Sequence, residues 1–141
     1  MLSPIKHIAF ADDDYDDKDL LCEAVKNICP DVLFTIADDG ATLLDKLKTT
    51  ARPDFIILDI NMPFMDGKEC LKVIKSIPAI KEIPVMMYST SSNLKDVEES
   101  YSHGAAYYVV KPDSNSALTK LAEEICTGEL NSSVRDRCSL P

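Results

Sequence analysis

Four short stretches of this 141-residue chain carry side chains that could do chemistry together. "ADDD" puts Asp12, Asp13 and Asp14 directly after one apolar run, and "FIILD" puts Asp59 after another. "MMYST" ends in the hydroxyls of Ser89 and Thr90, and "YYVVKP" ends in the ammonium of Lys111 followed by Pro112. Three carboxylates brought close together repel one another and raise each other's pKa unless a cation offsets the charge. Hard oxygen ligands with no His or Cys beside them favour Mg²⁺. Lys111 would offset further charge, but it cannot coordinate a metal. Such a group suits phosphoryl transfer, in which a carboxylate acts as nucleophile and becomes an acyl phosphate. The metal and the lysine would stabilise charge on the equatorial oxygens of the transferring group. A hydroxyl at Ser89 could donate to a phosphoryl oxygen once it arrives.

Whether these groups meet depends on the elements that carry them. Apolar, β-branched or aromatic-rich runs occur at 5–11, 32–37, 54–59, 84–89 and 106–111, which suits strands covered on both faces. Helical patterns lie between and after them: Leu20, Leu21, Ala24, Val25 and Ile28; Leu43, Leu44 and Leu47; Cys70, Leu71, Ile74 and Ile77. Leu94, Val97 and Tyr101 mark a fourth, and Leu118, Leu121, Ala122 and Ile125 a fifth. Pro30, Pro53 and Pro84 fall where helices should stop. The pattern predicts an α/β fold of (βα)₅ type, a doubly wound parallel five-stranded sheet with helices on both faces. In such a sheet the carboxyl ends of all strands share one edge, and ligands bind where the strand order reverses. With the order 2-1-3-4-5, Asp12 and Asp13 would stand beside Asp59, with Ser89 and Lys111 arriving from strands four and five.

Composition narrows the partners. An apolar fraction of 45% supports one ordinary core, and a net charge of −9 disfavours a nucleic-acid surface. No apolar run approaches the length needed to cross a bilayer, and no signal-peptide layout precedes the first strand, so neither membrane insertion nor export is expected. Five cysteines (Cys22, Cys29, Cys70, Cys126 and Cys138) form no C-x-x-C pair, so reduced, core-filling thiols in a cytoplasmic setting are expected. Residues 1–126 read as the domain, and the polar, aperiodic 127–141 as a frayed or loosely docked tail.

Taken in order, "ADDD", "ILDINMPFMDG", "MMYSTSS" and "YYVVKP" resemble the receiver domain of the response-regulator family, the CheY-like fold. The resemblance covers roughly residues 5–125, and the motifs are specific because they occur together in register. It implies the strand order 2-1-3-4-5 and a phosphoacceptor at Asp59. It also implies Mg²⁺ held by Asp13, the Asp59 carboxylate and the Asn61 backbone carbonyl, with Asp12 acting largely through water. Lys111 would pair with the acceptor and then with the phosphoryl group, aimed by a cis bond to Pro112. Ser89 and Tyr108 would be the switch pair, moving inward on phosphorylation and remodelling the face of helix four, strand five and helix five. A sensor histidine kinase or a histidine phosphotransfer protein would be the donor, and a protein the target. The protein would catalyse only its own phosphorylation and dephosphorylation. "STSSN" and "ECLKVIK" are similar to stand-alone receivers, and the chain after Ile125 is too short for an output domain. Thr90 and Asp113 depart from the family's usual small and apolar residues at those places.

Other readings compete at several positions. A single Asp after a strand is most often a turn or cap residue; the acids, hydroxyl and lysine at the other strand ends favour a functional Asp59. Asp14, Asp16, Asp17 and Asp19 read as a solvated first turn favouring the helix dipole. His7 reads as a packed or hydrogen-bonded strand residue, and Gly67 as a turn glycine with positive φ. An Asp-nucleophile phosphatase would want an acid where Asn61 stands. A flavodoxin-like carrier would want a phosphate loop where three acids stand. A receiver-shaped adaptor working without phosphorylation would not need an intact site.

Overall fold

A computed structural model describes residues 5–130. Its five strands are β1 (His7–Ala11), β2 (Leu33–Ala37), β3 (Phe55–Leu58), β4 (Val85–Ser89) and β5 (Tyr107–Val110). They alternate with α1 (Tyr15–Ile28), α2 (Gly40–Leu47), α3 (Gly67–Ser76), α4 (Leu94–Ser102) and α5 (Asn115–Thr127). The strands form one parallel sheet in the order β2-β1-β3-β4-β5. β3 and β4 are buried at every position, as continuous apolar strands between two helical layers must be.

Every helix starts on a residue whose side chain accepts a backbone N–H of the first turn: Asp14, Asp39, Asp66, Asn93 and Ser114. These caps satisfy donors that have no partner within the helix, and each caps a helix directly after the functional edge of the sheet. Asp14 is thus a structural residue, its Oδ1 accepting from Asp17 N at 3.0 Å. His7 is hydrogen-bonded as expected, its Nε2 lying 2.7 Å from Thr35 Oγ1 on the adjacent strand.

One expectation needs correction here. Cys29 and Cys126 are joined as a disulfide with Cα atoms 6.3 Å apart, where reduced thiols were expected. The residues are 97 apart in the chain, and only the packing of α1 against α5 brings them together. Cys70 is a buried free thiol with its pKa pushed by burial up to about 12, and burial also pushes half-buried Cys22 up to about 11. Cys138 lies outside the described residues. Of the segment 127–141, read as frayed or loosely docked, the first residues are docked: Thr127 ends α5, Gly128 caps it with φ 73° in the left-handed region, and Leu130 is buried. The rest of that segment, 131–141, lies outside the described residues. Among the described residues no helix is long and apolar enough to cross a membrane.

Candidate functional site

Register creates the site. Ala11 pairs with Leu58, so the next residues, Asp12 and Asp59, leave neighbouring strands at the same level. Two ladder bonds continue one step further: Asp59 N donates to Ala11 O at 3.0 Å and Asp12 N to Ala37 O at 3.1 Å. The backbone beneath both carboxylates is thus part of the sheet. On the other side, Lys111 N donates to Ser89 O at 2.8 Å, which fixes the root of the lysine just beyond β5.

The side chains converge. One carboxylate oxygen from each of Asp12, Asp13 and Asp59 lies within 4.8 Å of the others. Asp12 and Asp59 are buried, whereas Asp13 is exposed. Lys111 Nζ stands 2.9 Å from Asp12 Oδ2, 2.9 Å from Asp17 Oδ2 and 3.5 Å from Asp59 Oδ2. It also lies 5.5 Å from the centre of the Tyr88 ring, a cation–π contact. Burial first, and then the charge of Asp12, push the Asp59 carboxyl up to about 7, against the opposing pull of Lys111. Burial disfavours the Lys111 ammonium, but the carboxylates of Asp17 and Asp12 beside it outweigh that and hold the lysine above its ordinary value.

The donor set fits a hard divalent cation. Asp12 Oδ2 is fully buried and has the Lys111 charge 2.9 Å away, yet it receives no hydrogen bond. A buried carboxylate oxygen without a donated hydrogen is costly, and a cation bound beside it would satisfy it. The oxygens are the right kind: carboxylates only, with no His or Cys among them. Asn61 N donates to Asp59 Oδ1 at 3.3 Å, which places that residue against the acceptor.

Ser89 is fully buried at the end of β4, its Oγ accepting from Ser91 N at 3.1 Å. Ser91 Oγ in turn donates to Asp96 Oδ2 on α4 at 2.8 Å. Tyr108 is fully buried and donates from its hydroxyl to Ser91 O at 2.7 Å, so the side chain expected to move inward is already inward here. Its neighbour Tyr107 is half-buried beside Phe55, with ring centres 6.3 Å apart, as alternation along a strand requires. Replacing Tyr108 by Phe keeps the packing and removes the bond to Ser91. This variant should lose about 1 kcal/mol of stability in chemical denaturation. A midpoint equal to wild type would show that the hydroxyl contributes nothing to holding the loop.

Three readings change. The Lys111–Pro112 bond is trans, since no cis peptide occurs among the described residues. Gly67 does not have positive φ; that conformation falls on Phe64, at 68°. What Gly67 provides is close approach, because a Cβ there would lie 2.1 Å from the Asp59 carbonyl oxygen. Asp17, read as a solvated helix-start residue, instead belongs to the lysine's shell. Its place in the first turn of a helix that begins at the same edge of the sheet is shared with Asp16, so no sequence signal singled it out.

A parallel sheet in this order, with an acid pair, a third acid and a lysine at one edge, defines a class. The chain matches the family described as "Response regulator receiver domain" over residues 12–123, and it belongs to that family. Among its relatives, response regulator Rcp1 of Synechocystis sp. is 33% identical over 129 residues, covering 87% of this chain and 88% of that protein. The chemotaxis protein CheY of Pseudomonas aeruginosa is 33% identical over 113 residues, covering 78% and 90%. In three dimensions the phosphorylated cyanobacterial phytochrome response regulator RcpA aligns with a TM-score of 0.81 at 32% identity, covering 90% of this chain and 97% of that one. The Mn²⁺-bound form of Rcp1 aligns at 0.77 and 33%, covering 85% and 91%.

Proposed function

We propose that this protein is a single-domain response regulator that takes a phosphoryl group onto Asp59 from a sensor histidine kinase or a histidine phosphotransfer protein. The observation that carries the reading is Asp59 itself: a buried acid at a strand end, gathered with Asp12 and Asp13 within 4.8 Å and with Lys111 at 3.5 Å. Asp12, Asp13, Asp59 and the Asn61 backbone carbonyl would hold Mg²⁺, which supplies positive charge to the oxygens of the transferring group. An Asp59 oxygen attacks phosphorus, the bond from phosphorus to the donor's imidazole nitrogen breaks, and its electron pair stays on the imidazole. Lys111 meets the charge on the arriving oxygens, and the Ser89 hydroxyl turns from Ser91 N to donate to one of them. Ser91 joins Ser89, Tyr108 and Asp96, so this turn would be felt at α4. The face of α4, β5 and α5 would carry the signal to a protein target.

The binding of Mn²⁺ by Rcp1 and the phosphorylated state of RcpA, both similar proteins, support the same reading. The phosphatase alternative has Asn61 where its general acid should be. Incubation with acetyl phosphate and Mg²⁺ should attach one phosphoryl group, measured by intact mass. EDTA should suppress it and Asp59→Ala should abolish it. Labelling of equal extent in the Asp59→Ala protein would falsify the assignment.

A further inference from the structure

Lys111 is shared unequally among three acids, and the sharing has a direction. Two carboxylates, Asp12 and Asp17, stand at 2.9 Å, while the proposed acceptor Asp59 stands at 3.5 Å. The lysine is therefore held toward the α1 side of the site. Asp17 is fixed from both ends. Its backbone N–H is held by the Asp14 cap, and its Oδ2 accepts from Lys111 Nζ. The next residue, Lys18, is buried and paired with Asp38, which anchors the same helical turn beside the end of β2.

The two close partners differ in what release would mean. Asp12 is fully buried, so a lysine leaving it would strand a carboxylate away from water. The Asp17 side chain is 31% exposed, so water replaces the ammonium when the lysine leaves. A lysine that must reach a phosphoryl group on Asp59 gives up the partner that solvent can compensate.

We infer that Asp17 is a positioning residue that holds the Lys111 ammonium drawn away from Asp59 in the resting protein and surrenders it when Asp59 is phosphorylated. It never touches the reacting atoms; it acts through Lys111. This inference rests on the function proposed above. Removing its charge frees the lysine for the incoming phosphoryl oxygens and takes one repelling charge from their path, so phosphorylation should be faster.

The test compares the initial rate of labelling by acetyl phosphate with Mg²⁺ in wild type, Asp17→Asn, Asp17→Glu and Asp16→Asn. Asp16→Asn removes the same charge from the same turn without touching Lys111. Thermal melts confirm that each variant is folded. Asp17→Asn should label about two- to fivefold faster, the range set by one partly exposed ion pair. Asp17→Glu should restore the wild-type rate, and Asp16→Asn should stay close to it. An Asp17→Asn rate equal to or below wild type overturns the inference, as does equal acceleration by Asp16→Asn, which would make the effect one of net charge. If wild type takes no label, the proposed function fails and this inference with it. If wild type labels and Asp17→Asn does not differ, only the inference fails.

Discussion

Gly67→Ala should lower stability by about 3 kcal/mol or more and slow labelling of Asp59 in whatever protein remains folded. The residue opens α3, and its N–H donates to Ile60 O at 2.8 Å, so the chain there lies directly on the backbone that follows β3. A Cβ would meet Asp59 O at 2.1 Å, Asp59 C at 2.9 Å and Ile60 Cα at 2.9 Å. All three are main-chain atoms, and no side chain can rotate away to make room. Relief requires α3 or the end of β3 to move. The total stability of a domain is only about 5–15 kcal/mol, so the change is a large part of it. Gly40→Ala is the control. There the nearest atom is Cys70 Cβ at 3.1 Å and part of the crowding is a side chain, so the loss should be smaller. Urea denaturation of both variants measures the difference, and equal midpoints for Gly67→Ala and wild type would mean that the turn yields freely. Because the crowded atom belongs to Asp59, the two readouts should fall together.

The same glycine shows where sequence reading stops. Strands announced themselves by apolar runs, helices by their periodicity, and the acids and lysine by their position just past each strand, because those signals are local. The order of strands came from resemblance to a family and was met by the observed register. What escaped depends on contacts between distant segments. "MPFMDG" suggests that Gly67 bends the chain, whereas Phe64 takes the left-handed conformation and Gly67 is needed for space. Cys29 and Cys126 carry no spacing signal, since their pairing follows from which helices pack side by side. Asp17 was hidden among four neighbouring acids that all suit a helix start. Only the lysine's reach from β5, 94 residues away, distinguishes it from Asp16 or Asp19. The cis bond at Pro112 was inferred from family likeness, and the trans chain positions Lys111 against the same acids.

The second large effect concerns pH. With its carboxyl pushed up to about 7 by burial and by Asp12, Asp59 keeps a proton in the folded protein that it loses near 3.8 when unfolded. Between those values the native state binds more protons than the unfolded one, so this group makes stability fall as pH rises. Over roughly three pH units the loss is on the order of 4 kcal/mol, complete above about pH 7. A divalent cation among Asp12, Asp13 and Asp59 would take the proton's place. It should stabilise strongly at pH 8 and little at pH 5, where protons compete for the same oxygens. Asp59→Asn keeps the shape without the charge. In metal-free buffer it should match wild type near pH 4, exceed it in stability at pH 8, and gain less from added Mg²⁺ there. Groups remote from the site affect both proteins alike, so the difference between the two denaturation curves reports Asp59 together with the Asp12 and Lys111 charges coupled to it. If that difference stays constant from pH 4 to pH 8, the Asp59 carboxylate is already ionised in the folded protein at the lower pH. Lys111 would then be neutralising it across the 3.5 Å that separates them, and the lysine rather than the proton would be what the cation has to displace.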